Sequence, residues 1–162
     1  MLKVRQLVPP VAIHTPDGRS VSSWDFKQKK NLVVAFLHSD CEECRRFLQT
    51  LSANASELAE HEAVALAAFL DVPPRGLRDT ISPAILLGTD VSGRGVRAFL
   101  GDDAASGNGL TQLGIFVTDR YGELKSQWIT RAHSFPAASE ILGALWQAEI
   151  ACEECGAPHW PA

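Results

Sequence analysis

The sequence predicts an α/β domain in which a central mixed β-sheet is flanked by helices. Two apolar runs, residues 32–37 and 64–70, are typical of strands buried on both faces, and a stripe with helical spacing separates them. A second hairpin pattern follows near residues 119–122. With 162 residues and a hydrophobic content of 46%, the chain can bury one sizeable core. We therefore expect a single domain over residues 1–162.

The N-terminal part predicts a β-hairpin followed by one turn of helix. Asp17-Gly18 is typical of a tight turn between two short strands. Ser22 suits the capping position of a short helix that reaches Phe26. The strand at residues 32–37 comes directly afterwards.

A helix is predicted between the two apolar strands. Its apolar residues recur at helical intervals and form one stripe: Cys44, Phe47, Leu48, Leu51, Ala55 and Leu58. This stripe predicts one continuous amphipathic helix that opens at Cys41. The strand at residues 64–70 then closes a β-α-β unit, whose crossover should be right-handed.

The second half of the chain predicts a strand at residues 84–87, a short helix at 91–100 and a second hairpin at 113–129. The segment 101–109 is rich in Gly and Asp and predicts a loop.

A last helix is predicted from about Phe135, because Ser134 can cap it and Pro136 suits a first turn. Its apolar stripe continues to Cys152, and Gly156 should end it.

All four cysteines fall in two copies of Cys-Glu-Glu-Cys, at residues 41–44 and 152–155. The first copy opens a predicted helix, whereas the second lies in the closing turn of another. A helix N-terminus favours an anion by about 0.3–1 kcal/mol, and a C-terminus disfavours it. The two copies should therefore differ in chemistry.

The first copy predicts a redox-active pair. Cys41 lies at the helix tip, where amide hydrogens stabilise a thiolate, and Cys44 lies on the apolar stripe. The neighbouring Asp40, Glu42 and Glu43 oppose the thiolate. We expect Cys41 to attack, Cys44 to resolve, and the potential to lie below the value of about −120 mV typical of strongly oxidising sites.

His38 precedes Cys41 by three residues and is a candidate proton carrier. The alternative, which is more common for such a histidine, is a strand-end residue without a catalytic part.

The second copy leaves three interpretations open. Cys152 and Cys155 could relay electrons to the first pair, bind zinc together with His159, or pack against the core as plain thiols. The zinc interpretation supplies three ligands, whereas a structural zinc site usually has four.

Charge and composition exclude several classes of partner. The net charge is −4, the pI is about 5.7, and the basic residues are scattered, so we expect no nucleic-acid partner. No signal-like or bilayer-spanning apolar run is present, which predicts no membrane contact and a cytoplasmic location. Paired thiols in a reducing compartment indicate redox or metal chemistry.

Several segments resemble the thioredoxin-like superfamily, in particular its peroxiredoxin-related branch (AhpC/TSA, or redoxin). They span most of residues 10–150: the turn Asp17-Gly18, the Ser-Trp-Asp-Phe at 23–26, the strand at 32–36 before Cys41-x-x-Cys44, and Gly-Ile-Phe-Val-Thr-Asp at 114–119. The resemblance implies a thioredoxin core with an added N-terminal hairpin.

The sequence also departs from both family patterns. The proline and threonine of the peroxiredoxin motif are replaced by Val34 and His38, and its arginine by Leu113. Thioredoxins have Gly-Pro between the cysteines, where this chain has two glutamates, and a proline that is absent from residues 110–113.

Our leading hypothesis is a thiol-disulfide oxidoreductase that uses Cys41 and Cys44. A peroxiredoxin-like thiol peroxidase that uses Cys41 is the second, and a non-enzymatic binding module with structural or zinc-binding cysteines is the third. The expected partners are a protein or small-molecule disulfide, or a peroxide, together with a thiol reductant. No cofactor is expected, and a homodimer is one of the quaternary states left open.

Overall fold

The fold was analysed in a computed structural model that describes residues 1–106, 109–151 and 161. The described part contains nine strands: β1 Ala12–His14, β2 Ser20–Ser22, β3 Asn31–Leu37, β4 Ala63–Phe69, β5 Ile85–Thr89, β6 Ala105–Ser106, β7 Gly109–Leu110, β8 Leu113–Thr118 and β9 Leu124–Thr130. It also contains five α-helices: α1 Glu42–Ala53, α2 Ala55–Glu60, α3 Leu77–Thr80, α4 Arg94–Leu100 and α5 Ala138–Ile150.

Seven of these strands form one mixed sheet in the order β2-β1-β5-β4-β3-β8-β9. Strands β3, β4 and β5 are parallel, whereas β1 and β8 run antiparallel to their neighbours β5 and β3. All seven residues of β3 are buried, as expected for a central strand covered on both faces. The predicted mixed sheet with flanking helices is confirmed.

The predicted N-terminal hairpin is present, and β1 joins it to the sheet beside β5. A one-turn 3₁₀ helix follows at Ser23–Phe26. The Ser22 hydroxyl accepts a hydrogen bond from the Trp24 amide, and the Asp25 carboxylate accepts one from the Ser22 amide. This reciprocal pair caps the turn as the sequence predicts.

An aromatic cluster packs α4 against the sheet. The ring of Phe99 in α4 lies 5.3 Å from that of Phe36 and 4.9 Å from that of Phe116, measured between centroids. Phe36 and Phe116 come from the paired strands β3 and β8 and share one face. The helix therefore covers the centre of the sheet.

The helix predicted from Cys41 to Leu58 is two helices, which corrects the expectation of one. Helix α1 ends at Ala53 and α2 begins at Ala55, with Asn54 between them. The Asn54 side-chain amide donates to the Thr50 carbonyl at 2.8 Å. Asparagine competes for backbone groups in this way and interrupts helices.

The last helix begins later than predicted, at Ala138, and Ser134 does not cap it. The Ser134 amide points instead to the Thr130 hydroxyl, and the Glu140 carboxylate accepts from the Ala137 amide at 2.7 Å. The helix ends at Ile150 rather than continuing to Cys152.

The segment predicted as a loop at residues 101–109 contains regular structure. A 3₁₀ turn spans Asp102–Ala104, and β6 pairs with β7 in a small antiparallel ladder. The Thr111 amide donates to the Ala104 carbonyl at 2.8 Å and closes the segment.

Within the described residues, every helix is too short or too polar to cross a lipid bilayer.

Candidate thiol site

Cys41 occupies the N-cap of α1, directly beyond the carboxyl end of the central strand β3. Its backbone is extended, and its carbonyl accepts from the Arg45 amide at 3.1 Å. The sulfur accepts a hydrogen bond from the Cys44 amide at 3.1 Å. Sγ thus takes the place of the oxygen of a capping serine and lies where unpaired amide hydrogens concentrate.

Cys44 lies one turn deeper and is only 1% exposed. Burial raises the pKa of its thiol, and the hydrogen bond with Cys41 raises it further. The His38 amide, which points at the sulfur, opposes this shift. Cys41 is half-buried, so the predicted contrast between an accessible and a shielded sulfur is present.

The imidazole that contacts Cys41 belongs to His133, which the sequence analysis did not single out. Its Nδ1 lies 3.3 Å from Cys41 Sγ, at hydrogen-bond distance for sulfur. His133 follows β9 in a segment before α5 and has a φ of 55°. This left-handed conformation is uncommon for a residue other than glycine.

The topology of the sheet explains why His133 lies near Cys41. β8 is antiparallel to β3, and β9 is antiparallel to β8, so β9 runs in the direction of β3. The carboxyl ends of β3 and β9 consequently reach the same edge of the sheet. A histidine shortly after the second hairpin is thus expected near residues that follow β3.

Glu43 adds a carboxylate beside the sulfur. Its Oε2 lies 3.8 Å from Cys41 Sγ and 3.9 Å from His133 Nδ1. Glu42 points elsewhere and pairs with Arg45 at 3.8 Å and Arg46 at 3.6 Å. The two glutamates of the motif are therefore not equivalent.

His38 is the candidate proton carrier chosen from the sequence. Its ring lies 5.6 Å from that of His133, measured between centroids, and the two ring planes are tilted by 33°. Burial and the neighbouring charge of His133 lower the pKa of His38, whereas Asp71 raises it. Among the contacts of the described residues, His133 rather than His38 is the imidazole that reaches the sulfur.

A cleft of about 310 Å³ lies next to Glu43 and His133, the two side chains that contact the Cys41 sulfur. Its apolar wall includes Phe47 of α1 and Phe135, whose rings stack at 4.9 Å between centroids and 22° between planes. Glu43 and His133 line the end of the cleft nearest the sulfur. A substrate group in this cleft would contact Glu43 and His133, which in turn contact Cys41.

The second cysteine pair, Cys152 and Cys155, and the candidate ligand His159 lie outside the described residues. The three interpretations of that motif stay predictions.

Comparison with known proteins gives no match to a family model and no match among curated proteins. Solved structures do match. The reduced 2-Cys peroxiredoxin of Plasmodium vivax gives a TM-score of 0.72 at 14% identity, covering 91% of this chain and 97% of that one. The peroxidoxin BcpB of Mycobacterium tuberculosis gives 0.73 at 17% identity, covering 94% and 100%.

A third structure belongs to a different functional class. A Chlorobium tepidum protein assigned as the thiol:disulfide interchange protein DsbE gives a TM-score of 0.66 at 19% identity, covering 90% of this chain and 99% of that one. At such identities the likeness shows the fold. This fold is thioredoxin-like, as the resemblance in the sequence implies, and the matched peroxiredoxin structures share it.

Proposed function

Because the chain has a thioredoxin-like fold of the peroxiredoxin-related type, we propose that it is a thiol-disulfide oxidoreductase in which Cys41 attacks and Cys44 resolves. One observation carries the proposal. The Cys41 sulfur accepts an amide hydrogen at the tip of α1, while the Cys44 sulfur is buried one turn below it. This asymmetry suits exchange through a mixed disulfide.

The reaction proceeds in two exchanges. Cys41 gives its proton to His133, which lies 3.3 Å away, and the thiolate attacks one sulfur of the substrate disulfide. The other substrate sulfur leaves as a thiolate and takes up a proton. Cys44 then loses its proton and attacks Cys41 Sγ, which releases the second substrate thiol and leaves a Cys41–Cys44 disulfide. Two electrons pass to the substrate.

The burial of Cys44 determines the order of these two exchanges. Because burial raises the pKa of Cys44, its thiol stays protonated while Cys41 reacts first. The resolving thiol then acts on a sulfur one turn away in the same helix.

The test is reduction of glutathione disulfide by the full chain and by variants. We expect Cys41→Ser to abolish the reaction and Cys44→Ser to accumulate a mixed disulfide on Cys41. The double substitution Cys152→Ser/Cys155→Ser separates the contribution of the second pair. A redox titration should place the first pair below about −120 mV. Full activity of Cys41→Ser would contradict the assignment.

Thiol peroxidase activity is the second candidate, favoured by the matching peroxiredoxin structures. The position of the peroxiredoxin arginine is held by Leu113, which is 1% exposed and offers no cation. Consumption of hydrogen peroxide with a sulfenic acid trapped at Cys41 would establish this activity. A chain with neither activity would be a binding module of this fold.

A further inference from the structure

Three side chains of different chemistry converge beside the helix tip. Cys41 Sγ and His133 Nδ1 are 3.3 Å apart, Cys41 Sγ and Glu43 Oε2 are 3.8 Å apart, and Glu43 Oε2 and His133 Nδ1 are 3.9 Å apart. These three atoms are also the potential metal ligands of the cluster Cys41, Glu43 and His133. A thiolate, an imidazole and a carboxylate together form a ligand set that zinc accepts.

The triangle has the size that a tetrahedral ion requires. Zinc lies about 2.3 Å from sulfur and about 2.0–2.2 Å from nitrogen or oxygen, so ligand atoms in a tetrahedral site are about 3.3–3.6 Å apart. The observed separations of 3.3, 3.8 and 3.9 Å lie within this range or exceed it by at most about 0.3 Å. The Glu43 side chain is 55% exposed, so it has room to rotate toward an ion.

We propose that the reduced protein binds one zinc ion through Cys41 Sγ, His133 Nδ1 and Glu43 Oε2. Water fills the fourth position, since the cluster faces solvent through side chains that are 38% exposed at His133 and 55% exposed at Glu43. The Cys41 thiol gives its proton to solvent on binding. Cys44 is not a ligand, because its sulfur is buried on the core side of the helix.

Zinc at this site excludes the disulfide, because Cys41 Sγ cannot hold the ion and bond to Cys44 at once. This consequence rests on the proposed redox function, whereas the metal site itself does not. Glutathione disulfide would take two electrons from Cys41 and Cys44 and become two glutathione thiols. The Cys41–Cys44 disulfide that forms would release the ion.

The experiment titrates the reduced full chain carrying Cys152→Ser/Cys155→Ser with Co²⁺ as a spectroscopic probe, followed by displacement with Zn²⁺. Those two substitutions remove the other cysteine pair as a competing site. We expect one ion per chain and a sulfur-to-cobalt charge-transfer band. Cys41→Ser should abolish the band. His133→Ala should weaken binding at least about 100-fold, since loss of an outer-shell partner alone costs 10–100-fold.

Two matched controls accompany these variants. His61 forms a histidine-carboxylate pair with Glu149 at 2.9 Å and is not part of the cluster of Cys41, Glu43 and His133, so His61→Ala should leave affinity unchanged. Glu42→Gln should also leave it unchanged, whereas Glu43→Gln should weaken it.

The variant Cys44→Ser distinguishes the proposed ligand set of Cys41, His133 and Glu43 from a dithiol site formed by Cys41 and Cys44. It should retain the ion, because Cys44 is not a ligand, and circular dichroism checks that the variant is folded. Loss of the ion in folded Cys44→Ser with retention in His133→Ala would show a dithiol site and overturn the proposal, as would failure to bind Co²⁺ or Zn²⁺. Glutathione disulfide reduction measured without metal tests the redox function separately.

Discussion

At the scale of single residues, Cys41 and Cys44 share one motif but differ in environment. The Cys41 sulfur meets an amide hydrogen, an imidazole and a carboxylate, whereas burial raises the pKa of the Cys44 thiol. Both residues are cysteines, so the difference in their environments comes from their positions in the helix. A residue at the N-cap faces solvent and amide hydrogens, and a residue one turn later faces the core.

Glu43→Gln should make Cys41 more reactive. The carboxylate lies 3.8 Å from the sulfur and opposes its thiolate by about 1 kcal/mol when screened as in water. Removal of this charge should raise the rate of alkylation by iodoacetamide at pH 7 by about three- to sixfold, because only the thiolate reacts. The rate is followed by mass spectrometry of the Cys41 peptide.

Glu42→Gln is the matched control for this measurement. Its carboxylate pairs with Arg45 and Arg46, so its removal should change the rate by less. Equal acceleration in both variants would show that the net charge of the helix tip, not the position of Glu43, sets the reactivity.

His38 should make the stability of the fold depend on pH. Burial and the charge of His133 lower the pKa of His38 from 6.5, and Asp71 only partly opposes them. The unfolded chain therefore binds a proton at this residue more readily than the folded chain. The free energy of unfolding should fall as the pH decreases below about 6.5, and urea unfolding at pH 7.5 and 5.5 measures it.

His38→Gln should reduce this loss of stability between pH 7.5 and 5.5. His14→Gln serves as the control, because His14 is an exposed residue on the N-terminal hairpin. An unchanged pH dependence in His38→Gln would contradict the contribution of His38.

At the scale of elements, the sequence predicts strands better than helix ends. Strands β3 and β4 are identified by continuous apolar runs, because both of their faces are buried. The break at Asn54 escapes a periodicity argument, since Leu58 continues the stripe beyond it. Helix α5 starts where the Glu140 carboxylate accepts a hydrogen bond from the Ala137 amide. This contact depends on local geometry and not on residue type, so the sequence does not indicate it.

Two glycines in different elements should respond oppositely to alanine. A Cβ at Gly114 in β8 would lie 2.6 Å from Phe116 Cε2 and 2.7 Å from Leu100 Cδ2, whereas a Cβ at Gly143 in α5 meets nothing within 4 Å. Gly114→Ala should therefore cost about 1–3 kcal/mol through overpacking. Gly143→Ala should stabilise by about 0.5–1 kcal/mol, because alanine favours the helix.

Urea unfolding of both variants under one set of conditions checks this pair. Destabilisation by Gly143→Ala would indicate that the exposed side of α5 is covered in solution.

At the scale of the whole molecule, the topology of the sheet assembles the site from distant parts of the chain. Cys41 follows β3, and His133 follows β9, yet both strands end at one edge. Sequence proximity pointed to His38, three residues from Cys41, because a contact between residues 92 positions apart requires the strand order. The motif therefore predicted Cys41 and Cys44, whereas His133 could be placed beside them only once the strand order was known.

The N-terminal hairpin is joined to this sheet by a close approach of two backbones. A Cβ at Gly88 in β5 would lie 2.8 Å from the His14 carbonyl oxygen and 2.9 Å from Ile13 Cβ. Neither strand can yield easily, since His14 pairs with Thr89 and Ile13 is fully buried. Gly88→Ala should therefore displace the hairpin and lower the free energy of unfolding by about 1–3 kcal/mol.

Hydrogen exchange measured by mass spectrometry locates the effect of Gly88→Ala. Exchange should accelerate in β1 and β2, while the alkylation rate of Cys41 stays unchanged, because β5 and β4 lie between the hairpin and β3 in the sheet. Gly143→Ala, at an open position of α5, controls for the added methyl group. Accelerated exchange in β3 as well as in the hairpin would show that the hairpin supports the thiol site and is not an independent extension of the sheet.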